Sequence, residues 1–470
     1  SAFTLSFAGN DLINFSVDAP TASQVNHPRT GNRLSSGVVN KGQLLADGGQ
    51  IMVSAKAAQG VLDNVINMEG IVQARSVVEK NGEIIFSGDE RGIVRVAGRI
   101  DATGNKVGEK GGQVKIAGHH ILVDDNAKID VSGDSGGGDI TIGKVPGTKN
   151  ADAVVIMPDA QLLADASRFG DGGNIMVWSD NVTRAYGSLS AKGGSESGHG
   201  GFIETSGLNF LAVDGIRIDT SASFGTMGTW LLDPSDLTIS AAPDSNVIPS
   251  GAPTNLFTAD NNATTSNLNV TNLVNALTNT SVTVMTTGGG AGAGSGNITV
   301  ASPINWSSAT TLTLDAFNDI IINSNGLSPM IAAINGNLIL QAAGDILLNG
   351  GITLSNGSLT LAAQNAAQSI TTANPVAGIS IGGAVIAQAF NLLSGQWFQV
   401  GTDLPTFDVT QFQINNNVLP APDAQFLRML SGTGAIANPY IVFDRYGLQG
   451  IASSAAMLGF SYQLNNDIDM

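Results

Sequence analysis

The sequence predicts an all-β chain wound as a parallel β-solenoid, about three short strands to a coil, with a less regular carboxyl-terminal part. Two observations lead there. A Gly pair followed by alternating apolar and polar residues recurs along the first half, and further short alternating runs fill the intervals between its copies. Period-2 alternation sends one set of side chains inward and the other outward, and the spacing fits no helix.

The phrase reads GGQIMVSA at 48–55, GGQVKIAG at 111–118, GGDITIG at 137–143, GGNIMVWS at 172–179 and GGFIETSG at 200–207, with a weaker copy, GEIIFSG, at 82–88. Between copies lie runs such as Ile93-Val94-Arg95-Val96, Ile121-Leu122-Val123 and Lys128-Ile129-Asp130-Val131, and Gly, Asn and Asp are expected to make the turns. Repeats of this size, with neither helical crossovers nor paired hairpin signals, favour strands that stack on their equivalents in the next coil. Asn-Gly steps at Asn81, Asn325, Asn335, Asn349 and Asn356 would suit the competing reading, a propeller or sandwich of antiparallel hairpins.

The first module spans 1–240. A junction over 241–297 is rich in Asn, Thr and Gly and includes the Gly-rich run at 288–297; within it, the apolar spacing of residues 267–278 predicts a short amphipathic helix. A second solenoid segment covers 298–383, where Leu338 and Leu359 mark a coil of about 21 residues. From 384 to 470 the repeat fades and aromatics concentrate, with 11 of the 25 Phe, Trp and Tyr. Phe390, Trp397, Phe398, Phe407 and Phe412 are expected to cover an edge or form a small core, with a ligand-stacking platform as the alternative.

Composition restricts the function. The net charge is -17 and no Lys/Arg cluster exists to neutralise phosphates, which argues against nucleic acid and anionic membranes. No run of 18 apolar residues is present, so no membrane insertion is expected. The chain has no Cys, which removes disulfides, thiolate catalysis and Cys-ligated metals.

Only four His exist, at 27, 119, 120 and 199; adjacent His119 and His120 would face opposite sides of a strand, which disfavours a shared metal. His199 is expected in a loop. Asp124, Asp125, Asp130, Asp134 and Asp139 are the carboxylates from which a β-helix lyase or glycosidase could draw its acid and base, yet beside Gly they read first as turn caps. No cofactor is called for. Asp233-Pro234 is an acid-sensitive bond whose cleavage would process a longer precursor, although a Pro-closed turn explains it as well. Asn-X-Ser/Thr sequons fall at Asn14 and Asn181, and six more at Asn262, Asn269, Asn279, Asn297, Asn305 and Asn356 are candidate glycosylation sites.

The Gly-pair strands, the turns Ile129-Asp-Val-Ser-Gly133 and Ile100-Asp-Ala-Thr-Gly104, GDGGNIMVWSD at 170–180 and GTWLLDPSDLTI at 228–239 resemble filamentous haemagglutinin-type exoproteins, the large adhesins of bacterial two-partner secretion. The resemblance covers nearly the whole chain. It implies a right-handed parallel β-helix, exported unfolded through an outer-membrane transporter and displayed on, or released from, the surface of a Gram-negative bacterium. A chain free of Cys suits passage through a narrow pore. The family's Asn-Pro-Asn-Gly secretion phrase is missing, so the chain reads as an internal fragment of a longer protein. The function implied is a non-catalytic rod module that attaches to host glycans or matrix proteins, or to itself in a biofilm fibre. The alternatives are a carbohydrate-active β-helix enzyme and the stalk of a contact-dependent toxin.

Overall fold

The computed structural model describes residues 3–8, 12–17, 20–56, 61–77, 80–88, 91–244, 256–259, 265–288, 294–324, 326, 329–363, 369–372, 383–414 and 424–468. The chain is mostly β, built on long sheets of parallel strands, and divides into two compact units. The first comprises 1–234, 243–267 and 279–281; the second comprises 235–242, 268–278 and 282–470.

In the first unit, every third strand pairs in parallel, which generates three sheets. The first runs through Leu12–Val17, Gln50–Ser54, Glu83–Ser87, Gln113–Ala117, Asp139–Ile142, Asn174–Ser179, Phe202–Gly207 and Thr229–Asp233. The second runs from Ser36–Asn40 to Phe210–Ala212, and the third from Gln43–Leu45 to Arg217–Asp219. Phe3–Ala8 is laid antiparallel on Leu12–Val17, so an edge that parallel stacking would leave open is paired. Among the described residues, the Asn-Gly steps at Asn81, Asn335, Asn349 and Asn356 do not join antiparallel strands of these sheets, and Asn325 lies outside the described residues.

Register explains the core. Ile51, Ile84, Val114, Ile140, Ile175, Ile203 and Trp230 are successive partners in the first sheet, each essentially inaccessible. Val72, Ile100, Ile129, Leu162, Leu189 and Ile218 form the equivalent column of the third sheet. Branched side chains suit these columns because each packs on a like neighbour one strand away.

Gly48, in the first Gly pair, has the turn conformation expected of it, with a φ of 74°, but the later Gly positions at this corner have a spatial cause. A side chain on Gly112, Gly138, Gly173, Gly201 or Gly228 would meet a backbone carbonyl of the preceding turn, from 2.3 Å at Gly112 to 1.9 Å at Gly173. None of these five has a positive φ. The corner where the third sheet passes into the first is too tight for a Cβ.

In the second unit, Leu237–Ser240, Ile298–Val300, Ile320–Ile322, Ile346–Leu348, Ser369–Thr372, Gln396–Val400 and Gln425–Met429 form one parallel sheet. Opposite, Leu312, Leu338, Leu359, Phe390 and Phe412 are successive partners, and Leu338 does sit against Leu359. Ile352–Ala363 pairs through its first part with Ile331–Ala333 and through its second with Asn337–Ala342, fusing two strands into one. The helix expected over 267–278 is Val270–Ala276, capped by the Asn269 side chain and anchored by buried Leu273 and Ala276. Near the carboxyl end, Tyr440–Val442 pairs with Tyr462–Leu464, and Arg445–Gly450 is helical. Among the described residues, no helix is long and apolar enough to cross a membrane.

Candidate functional site

Of the five aromatics singled out in the sequence, Phe390, Trp397, Phe407 and Phe412 extend the apolar columns of the second unit. Phe390, Trp397 and Phe407 are buried, and Phe390 stacks on Phe412 at 5.6 Å. Trp397 stacks on Phe426 at 5.7 Å and meets Phe390 edge-on at 5.5 Å. Phe398 points the other way and packs with Leu427, Met429, Val442 and Met457. Three of the five thus offer no ring face to a ligand, and Phe398 is half-covered.

The carboxylates that a glycoside-cleaving reading would need are held by neighbours on several sheets. Asp124 pairs with Arg95, and its other oxygen accepts from the Asp125 amide at 2.9 Å. Asp130 accepts from the Ser132 amide at 3.1 Å and pairs with Lys128; Asp134 accepts from the Gly108 amide at 2.8 Å. Asp139 accepts from the Asn174 side chain at 2.8 Å. Asp101 shows the same use at greater depth, with Arg75, Arg99 and Thr103 on a fully buried carboxylate. Burial works to raise its pKa, but the hydrogen bonds from Arg75 and Thr103 and the Arg75 charge outweigh it, leaving the group below its ordinary range. Asp233 is buried at the end of strand Thr229–Asp233, paired with Ser206, beside Pro234.

The sequons differ in their surroundings. Asn305 and Asn356 are exposed, although the Asn356 amide donates to Asn335 at 3.0 Å. Asn297 is half-buried and accepts from Asn318 and the Asp319 amide; Asn269 caps its helix and donates to Ala242; Asn279 donates to Asp219. A glycan on any of the last three would displace a hydrogen bond that links turns. Asn14 and Asn181 are half-buried, and Asn262 lies outside the described residues.

Two features of the first unit were not visible as sites in the sequence. One is a trough of about 740 Å³ along the glycine corner, floored by Gly137, Gly173, Gly201 and Gly228 and edged by Lys110, Asp171, Phe202, Thr226 and Met227. It exists because the corner bears no side chains, so backbone and short polar groups make its floor. Its edges bring one cation, one carboxylate, a half-buried ring and hydroxyls to a surface that runs across successive turns, a shape suited to an extended, uncharged polar chain.

The other is at the entry to the second sheet. His119 and His120 do not face opposite sides. His119 precedes strand His120–Val123, and the two rings stack at 4.3 Å with planes 19° apart. Phe257 covers the other face of His120 at 4.5 Å, and Asp152 Oδ2 lies 3.4 Å from His120 Nε2. Burial and the neighbouring His119 charge hold His120 below the ordinary imidazole range, against the pull of Asp152. His199 is exposed in a loop, as expected, its Nδ1 accepting from the Thr226 amide at 3.0 Å.

The alternation rule also missed how the second sheet is covered. Strands Ala153–Ile156 and Val182–Ala185 are buried on both faces, because residues 256–259 lie over Val155, Met157, Tyr186 and Phe210. The sequence did carry a signal: Ala153-Val-Val-Ile156 is a continuous apolar run, as in strands with no solvent face.

No protein-family model matches the chain, and no curated protein matches it.

Proposed function

We propose that this chain is a non-catalytic stalk module of a secreted bacterial adhesin, a right-handed parallel β-helix whose work is to present binding surface away from the cell. The observation that carries the reading is the use made of the acidic residues. The candidate carboxylates cap turns or pair with basic groups of the same or the adjacent turn, so the side chains an enzyme would gather at one place are spent on joining the stack. Outward positions such as Thr141, Thr299, Thr313 and Thr360 leave a neutral hydroxyl surface that suits glycans, matrix proteins or a second copy. Secretion through an outer-membrane transporter, a Gram-negative surface location and engagement of host glycan or matrix belong to the same proposal, and rest on the resemblance in the sequence and on the absence of Cys.

The ligand face belongs with the glycine-floored trough rather than with Phe390, Trp397 and Phe407, whose rings are inside. The test is binding of the purified chain to glycan and matrix-protein arrays, with reducing-sugar release measured on every polysaccharide bound. Retention without release, weakened by Met227→Lys or Thr226→Arg, is the expected result. Release of sugar that Asp124→Asn or Asp139→Asn abolishes would overturn it in favour of a carbohydrate-active enzyme.

A further inference from the structure

We infer that His119, His120 and Asp152 form a binding site for one divalent transition-metal ion of the Zn²⁺ class. One ligand atom from each of the three lies within 4.8 Å of the others. Two successive turns supply them. The Asp152 amide donates to the His119 carbonyl at 2.8 Å, and His120 is in register with Ala153. Parallel pairing therefore brings the carboxylate alongside the rings, although the sequence separates them by 32 residues.

The donor set selects the ion. Two imidazoles with one carboxylate suit Zn²⁺, Co²⁺ or Ni²⁺, whereas Ca²⁺ and Mg²⁺ want a shell of oxygens. His120 is fixed between Phe257 and Asp152, so its ring is already oriented. His119 is on the open side, lining a cavity of about 210 Å³ with Ser87, Thr148 and Asn150, which leaves room for water to complete the coordination of a bound ion. Stacked rings hold their nitrogen lone pairs in separate planes, so both reach one ion only when His119 turns out of the stack into that cavity. Lys56 and Lys149 line the same cavity and weaken the attraction for a cation, which places the site in the modest-affinity class. A bound ion would tie one turn to the next and hold His120 against the covering segment. The inference is independent of what the module adheres to.

The experiment uses the full chain without a polyhistidine tag, freed of metal. Co²⁺ is titrated while the visible d–d absorption is followed, and Zn²⁺ is titrated calorimetrically. The expected outcome is one ion per chain, lost at least tenfold in affinity in His119→Ala and in Asp152→Asn, and unchanged in His27→Ala and His199→Ala. Imidazole NMR signals report in parallel: with only four His in the chain, Zn²⁺ should move those of His119 and His120 alone. Should a variant fail to fold, the NMR assignment on the unaltered chain decides. Absence of one-to-one uptake, or Zn²⁺ shifts at His27 or His199 instead, overturns the site.

Discussion

The indole Nε1 of Trp230 donates to Thr205 Oγ1 at 3.0 Å, both residues being wholly inaccessible. Thr205 stands in a column whose other members include Val53, Phe86, Ile116, Ile142, Val177 and Leu232, so a hydroxyl there needs a reason, and the indole provides it. Thr205→Val keeps the shape but orphans the N–H, which costs about 1–3 kcal/mol. Trp230→Phe, which shrinks a fully buried ring but removes the orphaned donor, should therefore cost less in the Thr205→Val background than in the native chain. Chemical denaturation of the two single variants and the double variant checks this; strict additivity would show that the hydrogen bond contributes nothing.

A methyl group at Gly138 would lie 2.0 Å from the Gly112 carbonyl oxygen, a contact no side-chain rotation relieves. Gly138→Ala should therefore cost more than about 3 kcal/mol, as overpacking against backbone does at its upper end. Gly215 is the contrast: its φ of 72° is left-handed, but nothing stands within 4 Å of a Cβ there. Gly215→Ala is expected to cost only about 1 kcal/mol. Equal losses in thermal unfolding would remove the distinction between crowding and conformation.

The two cases show what the sequence disclosed. Alternation after each Gly pair located strands such as Gln113–Ala117 and Asn174–Ser179, because a strand with one solvent face writes its period directly into the residue order. The reason for the pairs themselves was hidden, since crowding by Ala102, Ala164 or Ala191 depends on which turn stacks on which. Pairing between successive turns likewise concealed Asp152, 32 residues on in the sequence, beside the stacked His119 and His120. The aromatics after residue 384 were legible as a cluster that covers an edge or forms a small core, but not as the continuation of the apolar column, because Phe390 inherits the place of Leu359 only once register is known.

Arg184 is 1% exposed, and its guanidinium donates to the Leu256 carbonyl at 3.1 Å, the Thr258 carbonyl at 2.7 Å and the Tyr186 hydroxyl at 3.2 Å while lying over Phe210. It clasps the covering segment onto an apolar sheet face. Arg184→Ala should lower stability by about 2–4 kcal/mol through the lost charge-assisted bonds. Faster protease cleavage near residue 257 and increased binding of a hydrophobic dye are expected with it. Unchanged cleavage would mean that apolar packing alone holds the segment.

Glu204 is 8% exposed in strand Phe202–Gly207, and burial raises its pKa above the ordinary glutamate value, opposed by the Ser206 hydroxyl and by Lys144. A carboxyl that binds its proton more tightly when folded favours the folded state below the ordinary value. That favour is lost as the pH rises through the raised pKa and the buried group must ionise. Glu204→Gln keeps an oxygen to accept from Ser206, at 2.9 Å in the native chain, and carries no charge. It should therefore unfold at a higher temperature than the native chain near pH 7.5 and at about the same temperature near pH 4. Asp315, also raised by burial, contributes a slope of the same sign that Glu204→Gln leaves in place, so the comparison is between the two curves and not within either. A difference that stayed constant across the range would show that Glu204 acts through packing, with its ionisation unchanged by folding.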